Sequence, residues 1–305
     1  MFEALIQMAG LILCGVVWRY AKPGGLDARQ TRTALTGLVY YLLLPALVLL
    51  VLWRTPLGID SLKISLLATF AVLIALFTIY WLCYFCNMDH ATRGAAMLAA
   101  AFPNVTYLGL PILEATLGRD SRSIAIQFDL FACTPLLLTV GVWIAIRFGD
   151  KKSQALDKQS LLKVPALWAA FLAVILNLTG IQIPGSLENW LQTLANSVVP
   201  LMLISLGLSL YITREHLKQL QSIFPVIGVK LFIMPAIAMA LTMPLGMDGM
   251  LKQAVILEAA MPSMVIGLML CDRYGLNSVV YAAAVTITTA LSFLTLGLWF
   301  GLVQS

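Results

Sequence analysis

Apolar residues in this chain run in long blocks, and polar residues are confined to short gaps between them. Ten blocks stand out, at 2–20, 33–53, 62–85, 91–117, 122–147, 163–181, 189–211, 222–245, 250–273 and 277–302. A helix rises about 1.5 Å per residue, so about 20 apolar residues cross the roughly 30 Å hydrocarbon layer of a bilayer. The pattern therefore predicts an all-α integral membrane protein of ten transmembrane helices. Little chain is left over for a soluble catalytic domain. The first block starts at Met1 without a basic leader or a small-residue cleavage site, and reads as a retained helix.

The most polar stretch, Gly149 to Lys158, leaves five blocks on either side. It suggests a first repeat at 1–148, a cytoplasmic loop at 149–162 and a second repeat at 163–305. Short motifs agree. Leu138-Thr139-Val140-Gly141-Val142-Trp143 returns 156 residues later as Leu294-Thr295-Leu296-Gly297-Leu298-Trp299. Ala100-Ala101-Phe102-Pro103-Asn104 and Ala259-Ala260-Met261-Pro262-Ser263 are 159 apart, and Pro23-Gly24 and Pro184-Gly185 are 161 apart. Five spans is an odd number, so the second copy enters the membrane from the opposite side. That is a 5+5 inverted repeat, an architecture of many secondary transporters.

Composition agrees: 61% of residues are hydrophobic and 11% charged, with a mean hydropathy of +0.93. A soluble domain carries about 25% charged residues. The charge distribution sets orientation. Thirteen Lys and Arg fall in the connections on one side, five on the other, and the nineteenth, Lys230, falls inside a span. The basic side is expected to be cytoplasmic, with both termini outward. These residues then need no nucleic-acid partner. Cys83 and Cys86 have CxxC spacing without a second ligand pair, and His90 and His216 lie in connections, so neither metal nor cofactor is expected. No Gly-x-Ser-x-Gly, His-Glu-x-x-His or paired intramembrane Asp motif is present, which argues against an enzyme.

The fourth and ninth spans carry the chemistry. Both contain proline near the middle, where a missing N–H and a steric clash break or kink a helix. The fourth reads Phe102-Pro103-Asn104-Val105-Thr106-Tyr107-Leu108-Gly109-Leu110-Pro111. Freed backbone groups in lipid must face protein or a wet cavity. Two broken helices at matching positions point to a transporter site whose half-helix N-termini suit an anion, typically a carboxylate. Asn104 and Ser263 follow the breaking prolines, where a short polar side chain binds a ligand or merely caps a helix.

Pro103-Asn104-x-x-x-x-Gly109-x-Pro111 resembles the first crossover motif of the auxin efflux carrier family, which includes plant PIN exporters and bacterial carriers associated with organic acids. Met261-Pro262-Ser263 followed by Arg273-Tyr274-Gly275 resembles its second crossover, and Ser292-Phe293-Leu294-Thr295 the start of its last helix motif. The resemblance covers the whole chain. It implies a scaffold domain, a moving domain holding crossed helices 4 and 9, an elevator-type alternating-access mechanism, and a fold similar to sodium/bile acid symporters. It implies a small organic anion as substrate, bound around Pro103, Asn104, Thr106, Gly109, Gln127, Pro262 and Ser263, with Asn104 on the carboxylate. It places the protein in a bacterial cytoplasmic (inner) membrane, with a homodimer left open. The acidic–basic pair of the PIN third helix is missing here, since residues 64–85 are apolar.

Charges inside a membrane are expensive and default to function. Glu258, one turn before Pro262, together with Lys230 and Asp129, are the coupling candidates, for a proton in preference to sodium. The bland readings are that Lys230 snorkels and Asp129 reaches the outer interface. Glu114 and Arg273 are expected near the surfaces and solvated. A sodium-coupled symporter is the rival reading, although Glu258, Asn104 and Thr106 are thin material for its ion sites.

Overall fold

The computed structural model describes residues 2–55, 57–149, 164–210 and 219–304, with the side chains of 2–5 set aside. The predicted loop at 149–162 lies, beyond Gly149, outside the described residues, as does His216. Helix underlies every one of the ten predicted spans, and the described residues contain no strand. The helices are α1 (Phe2–Ala21), α2 (Ala28–Arg54), α3 (Ile59–Phe85), α4 (His90–Ala101), α5 (Val105–Leu117) and α6 (Arg119–Phe148). They continue with α7 (Pro165–Leu178), α8 (Gly185–Ser209), α9 (Leu220–Thr242), α10 (Gly249–Ala259), α11 (Gly267–Tyr274) and α12 (Ser278–Gln304).

Six of these, α2, α3, α6, α8, α9 and α12, are long and apolar enough to cross a bilayer. Ile6–Ala21, α5 and α7 are shorter apolar helices. Large apolar side chains such as Phe77, Phe171, Leu178 and Leu294 stand exposed on the outside, which suits contact with lipid and would be a liability in water.

Proline is handled in two ways. At Pro45, Pro111, Pro135 and Pro235 the helix continues, because the turn just before each proline widens into a π turn: Val39–Leu43, Val105–Gly109, Asp129–Cys133 and Val229–Ile233. Leu44 N–H reaches back five residues to Val39 O, as Thr134 does to Asp129 and Met234 to Val229. The wider turn moves the carbonyl four residues upstream away from the proline ring. Pro111 thus leaves its helix unbroken. Only Pro103 breaks the fourth span.

The chain forms two compact units, each drawing on both sequence halves. The first comprises the described residues of Met1–Leu62, Thr106–Ile126 and Gln159–Leu210. Within it α1 packs on α8 with Gly15 facing Gly207, where an added Cβ on Gly207 would lie 2.9 Å from the carbonyl carbon of Ile12. Arg19 donates to Leu208 O at 2.9 Å across that pair. Asn177 Nδ2 is shared among the carbonyls of Leu52, Trp53 and Thr55 at 2.7–3.1 Å, satisfying the C-terminal end of α2.

The second unit comprises the described residues of Lys63–Val105, Gln127–Lys158 and Tyr211–Ser305. Its centre is α4, whose run Ala95–Ala101 is buried throughout and packs on α6, α9 and α12. Small side chains let those backbones come close. Asp89 caps α4 by accepting from Thr92 N–H at 2.9 Å. Partial burial works to raise the Asp89 carboxyl, but hydrogen bonds from the Thr92 side chain and backbone outweigh it and hold the group below its ordinary value.

Candidate functional site

In the second unit both predicted breaks appear as interruptions and meet each other. Helix α4 ends at Ala101 and α5 begins at Val105; α10 ends at Ala259 and α11 begins at Gly267. The chain between them is extended at Pro103 and Ser263, which pair as an antiparallel bridge. Asn104 N–H donates to Pro262 O at 2.8 Å, and Met264 N–H donates to Phe102 O at 3.0 Å. The backbone groups that proline frees are thus satisfied across the two breaks, as a water-poor interior requires.

The side chains at the two breaks differ. Ser263 is fully buried and held: its N–H donates to Thr288 Oγ1 at 3.1 Å, and Thr288 Oγ1 donates to Ser263 Oγ at 3.2 Å. Tyr281 OH donates to Met264 O at 2.6 Å, and its ring lies where a Cβ on Gly267 would come 2.6 Å from Cζ. Asn104 is also buried, yet among the described residues neither its amide oxygen nor its amide nitrogen has a hydrogen-bond partner. Gln127 Oε1 and Thr289 Oγ1 in the same unit are likewise buried and without a hydrogen bond. Buried amides are nearly always hydrogen-bonded, so each exception calls for a physical reason.

Of the seven expected binding residues, Pro103, Asn104, Pro262 and Ser263 come together at the breaks, and Gln127 belongs to the same unit. Thr106 and Gly109 lie in the π turn that opens α5, and Thr106 onward belongs to the first unit. A cleft in the first unit, about 330 Å³ and lined by Trp53, Arg54, Asn177, Gln182 and Glu188 among others, contains none of the candidates.

The three coupling candidates, Asp129, Lys230 and Glu258, are all in the second unit and all buried. Glu258 and Lys230 are 0% exposed, which removes the snorkelling reading for Lys230 within this unit. Lys230 Nζ lies 2.8 Å from Met234 Sδ, and Thr134 Oγ1 donates to Asp129 Oδ1 at 2.7 Å. Neither oxygen of Glu258 has a hydrogen-bond partner among the described residues. Arg273 is exposed as expected, but Glu114 is not freely solvated: it pairs with the nearly buried Arg122. The pair ties α5 to the start of α6.

Sequence reasoning passed over Thr288 and Thr289, which stand buried beside the second break and unbonded within the unit respectively. Their signal was available: Thr286, Thr288, Thr289, Ser292 and Thr295 put five aliphatic hydroxyls into the middle of a largely apolar helix. Among the described residues no three His, Cys, Asp or Glu gather as a metal site.

The chain matches the family described as membrane transport protein over residues 1–300. It is 26% identical over 303 residues to an uncharacterized transporter of Methanocaldococcus jannaschii, covering 95% of each chain. A second uncharacterized transporter, from Methanothermobacter thermautotrophicus, is 26% identical over 299 residues, covering 97% of this chain and 96% of the other. The uncharacterized transporter YfdV of Escherichia coli is 23% identical over 241 residues, 76% of each chain.

Proposed function

The chain belongs to the membrane transport protein family, that of the auxin efflux carriers, and from this premise we propose that it carries a small organic anion across the bilayer. The class of substrate is a carboxylate, such as a dicarboxylate or an auxin-like acid. The observation that carries the reading is the buried Asn104 amide, which bonds to nothing else although its own N–H is anchored on the opposite break. An amide N–H₂ held in a dry site makes a charge-assisted bond to a carboxylate, and its fixed position removes much of the ordering cost of binding.

In this reading ten crossings form two inverted five-helix repeats, 1–148 and 163–305, joined by the cytoplasmic loop 149–162. The chain is set in a bacterial inner membrane with its termini outward. The crossed helices, α4 with α5 and α10 with α11, carry Pro103, Asn104, Thr106, Gly109, Pro262 and Ser263, and Gln127 completes the contacts. The substrate passes by elevator-type alternating access. The alternative of a sodium-coupled symporter calls for more oxygen ligands than Asn104, Thr106 and Glu258 supply.

A thermal-shift screen of purified protein against mono- and dicarboxylates tests the substrate class, because a ligand that binds only the folded state raises its melting temperature. At least one carboxylate is expected to stabilise the wild type and to fail with Asn104→Ala. No shift with any carboxylate, or an equal shift in folded Asn104→Ala, would overturn the assignment. A cysteine introduced at position 154 in a Cys-free background is expected to react with an impermeant thiol reagent only after permeabilisation. Labelling in intact cells would reverse the orientation.

A further inference from the structure

One end of the second unit gathers aromatic rings and guanidinium groups that the anion site does not use. Three elements meet there: the last two turns of α3, the first turn of α4 and the end of α6. Arg93 Cζ stands 5.5 Å from the centre of the Tyr84 ring and 6.0 Å from that of Tyr80. Tyr80 lies 6.4 Å from Phe148, which is flanked by the His90 ring at 5.7 Å and the Arg147 guanidinium at 5.9 Å. Trp81 joins Tyr84 and Phe85 to the group at 5.7 and 6.0 Å. Gly94 allows the approach, since a Cβ there would lie 2.7 Å from Phe148 Cβ. We propose that this cluster binds the headgroup phosphate of one anionic phospholipid through Arg93 and Arg147, with the lipid chains lying along α3.

The positive charge of the cluster is unmet. Neither Arg93 nor Arg147 has a carboxylate partner among the described residues. Of the acids on the adjoining elements, Asp89 accepts from Thr92 N–H at 2.9 Å and Asp272 accepts from Ser278 Oγ. Arg93 is half-buried and held in place: one terminal nitrogen donates to Met88 O at 3.1 Å, and its Nε is buried without a hydrogen-bond partner. A guanidinium offers five N–H donors in a rigid fork that matches phosphate, and ring faces steady the cation without using those donors. Arg147 is exposed and brings a second fork to the same group. A Cβ on Gly149 would overlap the Tyr274 carbonyl, so Arg273, over the Tyr274 ring, adds a third positive charge at this end.

The position of the cluster makes its occupant a lipid. Helix α3 is long and apolar enough to cross a bilayer, and the rings occupy its last two turns, at the level of the headgroups. Tyr and Trp suit that level because one end of each ring is apolar and the other wet. Phe70, Ile74, Phe77, Trp81 and Phe85 are exposed and follow one another at three or four residues, so they line one face of α3. That face runs from the middle of the helix up to the guanidinium groups. A soluble phosphate would use the polar end alone, whereas an anionic phospholipid uses both. In the orientation proposed above this end faces the cytoplasmic leaflet, whose anionic lipids attract basic segments. The site lies apart from the two breaks and does not rest on the anion-carrier reading.

Native mass spectrometry of the whole protein, purified in a mild detergent, tests the site with phosphatidylglycerol and phosphatidylcholine added separately. The wild type is expected to retain one phosphatidylglycerol in preference to phosphatidylcholine, whose choline cation the guanidinium groups repel. Arg93→Gln and Arg147→Gln are each expected to weaken phosphatidylglycerol binding by roughly fivefold, the worth of one basic group at a charged surface, and to leave phosphatidylcholine binding unchanged. Arg29→Gln removes the same charge from an exposed position in the first turn of α2, in the first unit, and is expected to change neither. Equal retention of the two lipids by the wild type overturns the proposal, as does an unchanged affinity in folded Arg147→Gln or an equal loss in Arg29→Gln. Displacement of the lipid by glycerol 3-phosphate at matching concentration also overturns it, since the site would then take a soluble phosphate. Should Arg93→Gln fail to fold, Arg147→Gln carries the test, because its side chain is exposed.

Discussion

The two breaks in the second unit use the same backbone device and treat their side chains in opposite ways. Each interrupts a helix after a short apolar turn, and each supplies the main-chain partners that the other lacks. At the second break the polar side chain is fully engaged: Ser263 is bonded to Thr288, and the following loop is clamped by Tyr281 against Gly267. At the first break Asn104 is just as buried, and its amide has no hydrogen-bond partner among the described residues. A packing device satisfies its own polar groups, because each buried orphan costs about 1–3 kcal/mol. The side chain at the second break is therefore tied into the fold, while the one at the first keeps an unmet hydrogen-bonding capacity. Symmetry of sequence does not carry symmetry of role.

Mutations that exploit this contrast should separate affinity from stability. The largest effect is expected from Asn104→Ala. A charge-assisted bond is worth about 1.5–3 kcal/mol, which is roughly 10- to 150-fold in carboxylate affinity. Equilibrium binding of whichever carboxylate stabilises the wild type measures this, and the melting temperature without ligand should barely move. An equal loss of affinity in Ser263→Ala would dissolve the contrast.

Gly267→Ala comes next, acting on stability. Its Cβ would be 2.6 Å from Tyr281 Cζ, inside a buried contact that cannot open easily. Overpacking of that kind costs about 1–3 kcal/mol. Denaturant unfolding of the reconstituted protein should show it, and Gly267→Ala combined with Tyr281→Ala should regain part of the loss if the clash is the cause.

Thr288→Val should cost about 1–2 kcal/mol, since it leaves the buried Ser263 N–H without an acceptor. Carboxylate affinity should stay within about threefold of the wild type, less than 1 kcal/mol. A Thr288→Val protein of wild-type stability with a large affinity loss would show that this hydroxyl serves the substrate and not the fold.

The smallest effect concerns the helix that leads into the first break. Asp89 accepts from Thr92 N–H at the start of α4, and its carboxyl is held below its ordinary value. A carboxyl lowered in the folded state adds stability that is present above its unfolded value of about 3.9 and is lost as pH falls through the folded one. Because Asp89 is exposed, Asp89→Ala should sit at the low end of the capping range, about 0.5–1 kcal/mol, at pH 7. The difference from wild type should shrink toward zero as the medium is acidified below about pH 4. A deficit that is constant with pH would mean the loss comes from packing.

Much of this was legible along the chain. An apolar run of about 20 residues has few options other than helix when it must satisfy its own backbone groups, so helix underlies each predicted block. Pro103 and Pro262 marked the interruptions for the same local reason, a missing donor and a clash with the preceding turn. The sequence by itself also determined where charge is excluded, and so made Glu258, Lys230 and Asp129 conspicuous one at a time.

Tertiary structure decided which groups find partners. That Pro111, Pro135 and Pro235 bend nothing away depends on a widened turn that neighbouring packing allows. Ser263 and Asn104 occupy equivalent sequence positions, but only Ser263 meets a hydroxyl, offered by Thr288 on a helix 25 residues further on. Glu114 looked like a surface residue until Arg122 folded back onto it. Asp129, Lys230 and Glu258 are scattered over more than a hundred residues and are all buried only because their helices pack within one unit. Local patterns fix local structure because their causes act over a turn of helix. Hydrogen bonding and charge compensation act through space, so their outcome is settled by whichever side chains the packed helices bring within reach.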